Sequence, residues 1–379
     1  MQAKDAIKQI IIRFFHIFPV KKKVVLFNNF YGRGFDENPR AIAEQILRDK
    51  TDLKLYWVLS KVNMLAPLPK GIIRLERGSL KYYYFIATSS VWVSNVRLPE
   101  YCIKRKKQYY IQTWHASGVP YKMVEYDALD NLSDQYKRMM AHDNMMIDLL
   151  LSGSRSNTET ICRRAFRYNG EVLEVGDPKN DYIIKADKVK CKNTFKKKFK
   201  IAEDKLLIYM PTFRVDYSKK PFDIDLDSVK IALEKSTGKT WKIICKMHPN
   251  VEEKNKKIKC SDYLSIDGTD STQEAILSSD LLITDYSSVM FDALLANIPV
   301  FLYVKDYEQY TKHERGFYSK LNELPFPSFK TTKQMVNAIN SKQFPTKKQY
   351  TSFANRIKLA TTGDASKRVA QRIEEKCSE

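Results

Sequence analysis

The sequence predicts an α/β protein with two domains, each built on a parallel β-sheet. Short apolar runs alternate with helix-like segments in two successive stretches, residues 23–180 and 206–303, and this order is typical of sheets covered by helices on both faces. The chain has 379 residues, enough for two domains with a hydrophobic core each. Between the two stretches, the lysine-rich residues 187–205 predict a solvated helix or linker.

The first stretch carries apolar runs of strand length, separated by segments with helical spacing. Strands are predicted at Val24–Phe27, Leu53–Leu59, Ile72–Leu75, Val91–Ser94 and Tyr109–Thr113. Helices are predicted at Asn38–Asp49, Leu80–Thr88, Leu132–Leu151 and Asn157–Phe166. Pro39 fits the start of the first helix, because the first turn leaves its N–H groups unpaired in any case.

The second stretch repeats the pattern and ends in a helical tail over residues 331–375. Strands are predicted at Leu206–Met210, Trp241–Met247, Tyr263–Ile266, Leu281–Thr284 and Val300–Tyr303. Helices are predicted at Leu226–Ser236, at Thr272–Ser278 and from Ser287 or Ser288 to Asn297. The expected organisation is an N-terminal helix over residues 1–20, a Rossmann-like domain over 21–186 and a second one, with the tail, over 187–379.

An amphipathic helix is predicted at the N-terminus, because apolar residues recur there at helical spacing among basic ones. They are Ile7, Ile10, Ile11, Phe14, Phe15 and Phe18. Such a helix can lie on an anionic membrane surface or dock on the first domain, and the sequence leaves both open. No segment is long and apolar enough to span a bilayer, and a cleaved signal peptide is not expected, since lysines follow the apolar part.

The charge balance narrows the choice of partners. A net charge of +21 implies an anionic partner, which is a nucleic acid, an anionic membrane or a phosphate-rich substrate. The chain has no recognised nucleic-acid module, so nucleic-acid binding is only a distant alternative. Six cysteines occur without a C-x-x-C pair, which favours neither a zinc site nor a disulfide framework and fits a reducing compartment.

The most informative stretch is Leu281–Tyr303, LLITDYSSVMFDALLANIPVFLY. A buried strand runs into a polar turn and then a helix, so Ser287 and Ser288 lie at a helix start above the carboxyl end of a strand. Helix starts of this kind bind phosphate, although an ordinary helix cap is the simpler interpretation. Asp292 shares a helix face with Ser288 and is placed to accept hydrogen bonds from ribose hydroxyls, unless it is an exposed helical aspartate.

Two of the five histidines lie just past predicted strands, one in each domain. His115 and His248 are therefore expected to face a central cleft between the domains. An imidazole exchanges a proton near neutral pH, which suits transfer chemistry on a phosphate ester, whereas either histidine alone could be structural. Arg214 follows another strand and is placed to contact a phosphate, unless it is a surface arginine, and Lys179 lies near the predicted hinge.

With these residues assembled, the chain resembles the CDP-glycerol glycerophosphotransferase family of teichoic acid biosynthesis. The resemblance covers about residues 24–327 and rests on six motifs in order: WHASG (114–118), GDPKND (176–181), MPTFR (210–214), KMHPN (246–250), ITDYSSVMFD (283–292) and ERGFY (314–318). It implies a GT-B-like fold, in which two Rossmann-like domains face a central cleft. It also implies a CDP-glycerol donor whose glycerol-linked phosphorus is attacked by an acceptor hydroxyl, with CMP as the leaving group.

The resemblance also implies roles for particular residues. His115 is the expected general base and His248 the second catalytic residue, which binds the phosphates. Arg315, Ser287 and Ser288 are expected to bind the phosphates as well. Pro211 and Thr212 are expected to line the cytidine pocket, with Lys246 and Met247 close by, and Asp292 to hold the ribose. The remaining predicted donor-binding residues are Trp114, Ser117, Lys179 and Arg214.

The sequence departs from the family pattern at the acceptor motif. It has WHASGVPYK where polymerases of the family usually have WHGTPLK, and the W-H-A-x-G form resembles the short priming members. Transfer of glycerol phosphate to a disaccharide linked to undecaprenyl diphosphate is therefore expected, at the cytoplasmic face of the cell membrane. A glycerol- or ribitol-phosphate polymerase or a capsule transferase is the alternative.

No cofactor is predicted, because CDP-glycerol is a substrate and no metal motif offers itself. The segment Asp223–Asp227 has alternating carboxylates, but its spacing and surroundings indicate a surface feature rather than a metal site. Preorganised N–H groups together with arginine and lysine can stabilise the charge of a transferred phosphate.

Overall fold

The computed structural model describes residues 3–115, 118–212, 223–246, 263–266 and 270–379, and the chain divides into two compact units. Unit 1 comprises Met1–Gly118, Val124–Asp181 and Leu359–Glu379, and unit 2 comprises Val119–Met123 and Tyr182–Lys358. Each unit has its own parallel sheet, as the βαβα order of the sequence predicts.

Unit 1 is built on a seven-stranded parallel sheet in the order β3-β2-β1-β4-β5-β6-β7. Its strands are β1 (Lys21–Asn28), β2 (Lys54–Leu59), β3 (Ile72–Glu76), β4 (Ser89–Ser94), β5 (Tyr109–Gln112), β6 (Leu149–Ser152) and β7 (Glu171–Glu174). The central strands are buried on both faces, which explains their continuous apolar runs.

Together with the last helix of the chain, five helices from the first half of the chain flank this sheet. They are α1 (Ala3–Phe15), α2 (Glu37–Arg48), α3 (Leu80–Thr88), α4 (Asp134–Met146) and α5 (Arg155–Asn157, continued by Thr158–Ala165 with π-type bonding). Serine hydroxyls cap three of them: Ser79 accepts from the Tyr82 N–H of α3, Ser133 from the Tyr136 N–H of α4 and Ser154 from the Asn157 N–H of α5. Within the described residues, no helix combines the length and apolarity that crossing a bilayer requires.

The prediction of one long helix over Leu132–Leu151 is wrong. The structure ends α4 at Met146 and begins the central strand β6 at Leu149. Asp148 makes the break, because its carboxylate accepts from the backbone N–H of Tyr110 at 2.7 Å and draws the chain into the sheet beside β5. A short apolar run such as Leu149–Leu151 fits a helix or a buried strand equally well by pattern alone.

Unit 2 has a six-stranded parallel sheet in the order β10-β9-β8-β11-β12-β13. Its strands are β8 (Lys205–Met210), β9 (Trp241–Cys245), β10 (Leu264–Ser265), β11 (Leu281–Thr284), β12 (Val300–Tyr303) and β13 (Ser328–Phe329). Its helices are α6 (Asp181–Lys185), α7 (Lys188–Lys198), α8 (Leu226–Thr237), α9 (Thr272–Ser278), α10 (Val289–Leu295), α11 (Tyr307–His313), α12 (Thr332–Asn340) and α13 (Lys347–Arg356). The lysine-rich segment after residue 187 therefore forms a helix.

The aspartates of the Asp223–Asp227 segment have structural partners. Asp225 caps α8 by accepting the Ser228 N–H at 3.0 Å. Asp223 pairs with Lys305 and accepts from the Tyr303 hydroxyl at 3.2 Å. Asp225 therefore serves as a helix cap and Asp223 as part of a surface ion pair.

The last helix, α14 (Ala365–Ser378), packs in unit 1, whereas the sequence grouped the whole tail with residues 187–379. Its buried face, which includes Val369 and Ile373, belongs to the same core as β1 and α2. Asp181 caps this helix, because its two oxygens accept from the N–H groups of Ala365 at 3.1 Å and Ser366 at 2.8 Å. The last residue of the GDPKND motif therefore anchors the C-terminus in unit 1.

We expect Asp181→Asn to weaken this anchor. The amide retains one acceptor oxygen for two N–H groups, so the free energy of unfolding should fall by about 1 kcal/mol. Denaturant unfolding measures the loss, and Asp187→Asn, which alters the cap of the exposed helix α7, is the matched control. A larger loss in the control than in Asp181→Asn would contradict the anchoring role.

Candidate functional site

The order of the sheet in unit 1 reverses between β1 and β4, and polar side chains meet across this point. The Asn28 amide donates to the Ser94 hydroxyl at 2.9 Å, and the Asn95 amide donates to the Asn29 side chain at 2.7 Å. Open α/β sheets bind their ligands at such a reversal, beyond the carboxyl ends of the strands. This edge is therefore the candidate site of unit 1.

His115 lies at this reversal. Its Nδ1 is 2.8 Å from the backbone carbonyl of Asn95, and its ring packs against those of Trp114 at 4.3 Å and Phe30 at 5.2 Å. A carbonyl only accepts hydrogen bonds, so Nδ1 carries the proton of the neutral imidazole and Nε2 is its basic nitrogen. The fold thus fixes both the orientation and the tautomer of His115.

The turn that carries His115 is held by Asn38, at the start of α2. The buried side-chain amide of Asn38 donates to the carbonyls of Thr113 at 3.4 Å and Trp114 at 3.2 Å, and lies 3.5 Å from a carboxylate oxygen of Asp177. Its own carbonyl accepts the Lys179 N–H at 3.2 Å. One side chain therefore joins the WHASG and GDPKND motifs.

Lys179, predicted to bind the donor, is buried in unit 1. Its ammonium lies 2.9 Å from a carboxylate oxygen of Glu37, the first residue of α2. Glu37 has a φ of +62°, a left-handed conformation that costs energy for a residue with a side chain. The ion pair thus holds the Lys179 side chain at the start of α2, next to Asn38.

A buried ionic cluster supports the tryptophan of the turn. Arg97 is 1% exposed and its guanidinium lies 3.2 Å from Glu125 and 3.1 Å from Asp143. Its guanidinium also lies over the ring of Phe166 at 4.2 Å, and that ring packs edge-on against Trp114 at 4.8 Å. Burial raises the pKa of Asp143, and the Arg97 charge opposes that shift.

Gly118, the last residue of WHASG, has no room for a side chain. It has a φ of +67°, and a Cβ there would lie 2.5 Å from the Gly153 Cα. Its carbonyl also accepts from the Ser154 hydroxyl at 2.6 Å. The motif needs glycine here because two backbone segments touch.

The sheet of unit 2 reverses between β8 and β11, and one carboxylate bridges this reversal. Asp285 accepts the backbone N–H of Thr212 at 2.8 Å and that of Tyr286 at 2.6 Å through the same oxygen. Pro211 is buried and Thr212 half-buried at the end of β8. Asp285 therefore fixes the turn of the predicted cytidine pocket relative to the turn that precedes Ser287.

The other predicted residues of unit 2 lie around the same edge. Ser287 accepts the Val289 N–H at 3.4 Å, Ser288 immediately precedes α10, and Asp292 is buried on that helix. Lys246 follows β9, and its ammonium donates to the Asp270 carbonyl at 2.8 Å. Arg315 is exposed after α11, where its backbone N–H donates to the Tyr310 carbonyl at 3.2 Å.

The structure thus brings Trp114, His115 and Lys179 together in unit 1, and Pro211, Thr212, Ser287 and Ser288 in unit 2. Four predicted site residues, His248, Ser117, Arg214 and Met247, lie outside the described residues. Asn38, Asn95 and Asp285 hold these turns and escape prediction from the sequence. Their signal was a short polar residue just after a strand or just before a helix.

Comparisons with known proteins agree with this arrangement. The family model "CDP-Glycerol:Poly(glycerophosphate) glycerophosphotransferase" matches residues 10–375. The chain is 33% identical to a teichoic acid poly(glycerol phosphate) polymerase of Bacillus spizizenii, covering 97% of this chain and 96% of the relative. It is 34% identical to the polymerase of the same description from Bacillus subtilis, covering 88% of this chain but 46% of that longer relative.

A solved structure of the wall teichoic acid polymerase TagF has a TM-score of 0.83 to this chain at 27% identity, and the match covers 98% of this chain and 94% of that one. Two parallel Rossmann-like sheets and this match define a transferase of the GT-B-like fold. More particularly, the chain belongs to the CDP-glycerol glycerophosphotransferase family of teichoic acid biosynthesis. The fold and the family predicted from the sequence are confirmed.

We expect Asn38→Ala to impair activity more than stability. Loss of several buried hydrogen bonds should lower the free energy of unfolding by about 2 kcal/mol, and release of the His115 turn should lower turnover about 100-fold. Denaturant unfolding and CMP release measure the two effects.

Asn63→Ala is the matched control for Asn38→Ala. Asn63 also donates to a backbone carbonyl and a hydroxyl, those of Gly32 at 3.1 Å and Ser60 at 2.9 Å, and both of these partners lie outside the His115 turn. Equal activity losses in the two variants would contradict the special role of Asn38.

Proposed function

We propose that this enzyme transfers glycerol phosphate from CDP-glycerol to a lipid-linked teichoic acid acceptor and releases CMP. The family membership supports the donor and the reaction class. The observation that carries the catalytic assignment is the contact of His115 Nδ1 with the Asn95 carbonyl at 2.8 Å. It leaves Nε2 as a base at the sheet reversal, where ligands of such folds bind.

In the proposed reaction, Nε2 of His115 takes the proton of an acceptor hydroxyl. The hydroxyl oxygen forms a bond to the glycerol-linked phosphorus of the donor, and the bond from that phosphorus to the bridging diphosphate oxygen breaks. The electron pair of the broken bond leaves with CMP. Charge therefore builds up on the transferred phosphate and on the leaving phosphate, and preorganised donors stabilise it.

Unit 2 supplies the proposed donor site. Asp285 holds the Thr212 turn beside the turn that leads to Ser287 and Ser288. The residues proposed to bind the cytidine and those proposed to bind the phosphates therefore lie on adjoining loops of the sheet edge. Asp292 on α10 is the proposed ribose-binding residue, and the exposed Arg315 is a proposed cation for the phosphates. His248, Arg214 and Met247 keep their proposed donor roles from the sequence motifs.

The acceptor motif WHASG favours priming, in which the first glycerol phosphate is added to a disaccharide linked to undecaprenyl diphosphate. Polymerisation is the second candidate, and one specific observation favours it. Both relatives described above, at 33% and 34% identity, are poly(glycerol phosphate) polymerases. The number of units added to a defined acceptor separates the candidates, because a primer stops after one unit and a polymerase gives a ladder of products.

We also propose that α1 attaches the enzyme to the cytoplasmic face of an anionic membrane. One face of α1 is docked on unit 1, because Ile12 is fully buried and Phe15 packs edge-on against Tyr84 at 5.5 Å. The opposite face of α1 exposes Ile7, Ile10 and Phe14, and the turn after the helix exposes Ile17, each at least 60% accessible. Lys4 and Arg13 are exposed beside them, which suits a surface of acidic headgroups.

We expect purified protein to release CMP from CDP-glycerol when a lipid-linked acceptor is present, and His115→Ala to lower this rate by about 10²- to 10⁴-fold because the general base is lost. His142→Ala is the matched control, since His142 also bonds a backbone carbonyl, that of Cys102 at 2.7 Å, but lies on α4. Retained turnover in His115→Ala would remove His115 as the base, and CDP-glycerol binding without any turnover would indicate a binding protein.

We expect Ile10→Glu/Phe14→Glu to reduce sedimentation with anionic liposomes by about tenfold or more, because two apolar anchors become charged. The substitutions leave the docked residues Ile12 and Phe15 in place. Leu65→Glu, at another highly exposed apolar position of unit 1, is the matched control. Unchanged sedimentation of the double variant would show that this face does not bind the membrane.

A further inference from the structure

The hydroxyl of Tyr121 is buried without a partner. Tyr121 is 3% exposed, and its hydroxyl oxygen has no hydrogen-bond partner among the residues that the structure describes. Other buried tyrosines of unit 2 are paired: the Tyr286 hydroxyl donates to Asp306 at 2.9 Å, and the Tyr350 hydroxyl donates to the Ile298 carbonyl at 3.0 Å. Burying an unpaired hydroxyl costs free energy, so its presence calls for an explanation.

The ring of Tyr121 is held rigidly within unit 2. Tyr121 belongs to Val119–Met123, the short segment that directly follows WHASG and packs in unit 2. Its carbonyl accepts the Tyr318 N–H at 2.8 Å, and its ring stacks on Phe317 at 4.7 Å and meets Phe291 edge-on at 5.7 Å. Phenylalanine would satisfy all of these contacts, so packing alone does not explain the hydroxyl.

The surroundings of this hydroxyl belong to the proposed donor site. Phe317, on which Tyr121 stacks, is two residues after Arg315 in the ERGFY motif. Burial raises the pKa of Tyr121, and the nearby Tyr307 and Asp285 raise it further, so the phenol keeps its proton. Asp285 itself precedes Ser287 by two residues and holds the Thr212 turn. Phe317 also packs against the ring of Tyr286, the residue after Asp285, at 5.7 Å. The Tyr121 ring therefore packs on a residue that belongs to one proposed phosphate-binding connection and contacts the other.

We infer that Tyr121 is a further donor-binding residue, whose hydroxyl donates a hydrogen bond to an oxygen of the CDP-glycerol diphosphate. The inference deepens the proposed function and rests on it. A neutral O–H donor on a fixed ring binds an anionic oxygen without loss of side-chain freedom. Tyr121 follows the WHASG motif, which contains His115. The inference therefore assigns a residue next to the acceptor motif to the binding of the donor.

Tyr121→Phe tests the inference because it removes only the oxygen. Without ligand, the variant should unfold at the same temperature as the wild type or slightly higher, since no hydrogen bond is lost. Calorimetric titration with CDP-glycerol should show a Kd about tenfold higher than that of the wild type, the size expected for one hydrogen bond to a charged group. The KM for CDP-glycerol should rise with little change in kcat.

Tyr350→Phe is the matched control in the same unit. It loses the hydrogen bonds of its hydroxyl to the Ile298 carbonyl and the Val300 N–H, so it should unfold at a lower temperature but bind CDP-glycerol as the wild type does. Equal Kd values for wild type and Tyr121→Phe would overturn the inference and leave the proposed function standing. A wild type that fails to bind CDP-glycerol would overturn both.

Discussion

The candidate site of unit 1 depends on one buried side chain, the amide of Asn38. It donates to the carbonyls of Thr113 and Trp114 and accepts the N–H of Lys179, so it ties the start of α2 to two other connections at the same sheet edge. Parallel sheets bring several βα turns to one edge, and each turn carries backbone groups that need partners. One asparagine satisfies groups from two turns and thereby fixes the backbone on which His115 lies.

Unit 2 meets the same requirement with the opposite chemistry. At its sheet reversal, the carboxylate of Asp285 accepts two backbone N–H groups, those of Thr212 and Tyr286, where unit 1 uses an amide that mainly donates to carbonyls. In both units, a short polar side chain bridges the sheet reversal. It holds the turn that carries a predicted site residue, which is His115 in unit 1 and Thr212 in unit 2. Tyr121, from the segment VPYK of the acceptor motif, packs through Phe317 against Tyr286 of the Asp285 turn.

The N-terminal helix shows why a periodic pattern can support two interpretations at once. The apolar residues of α1 cover more than one face, so Ile12 is buried against unit 1 while Ile10 and Phe14 remain exposed. The sequence offered docking and membrane contact as alternatives. The structure confirms the docking and leaves a separate apolar face, with basic neighbours, for the proposed membrane contact.

The sequence by itself determined the α/β class, most strands and helices, the family and the turns that carry His115 and Ser287, because periodicity and turn chemistry are local. Tertiary structure alone decided that α14 packs in unit 1, that Leu149–Ser152 is a strand, and that Asn38 holds the His115 turn. Asn38 meets Thr113 across 75 residues of chain and Asp177 across 139. Hydrogen bonds between such distant residues depend on how the strands are ordered in the sheet, which no local pattern encodes.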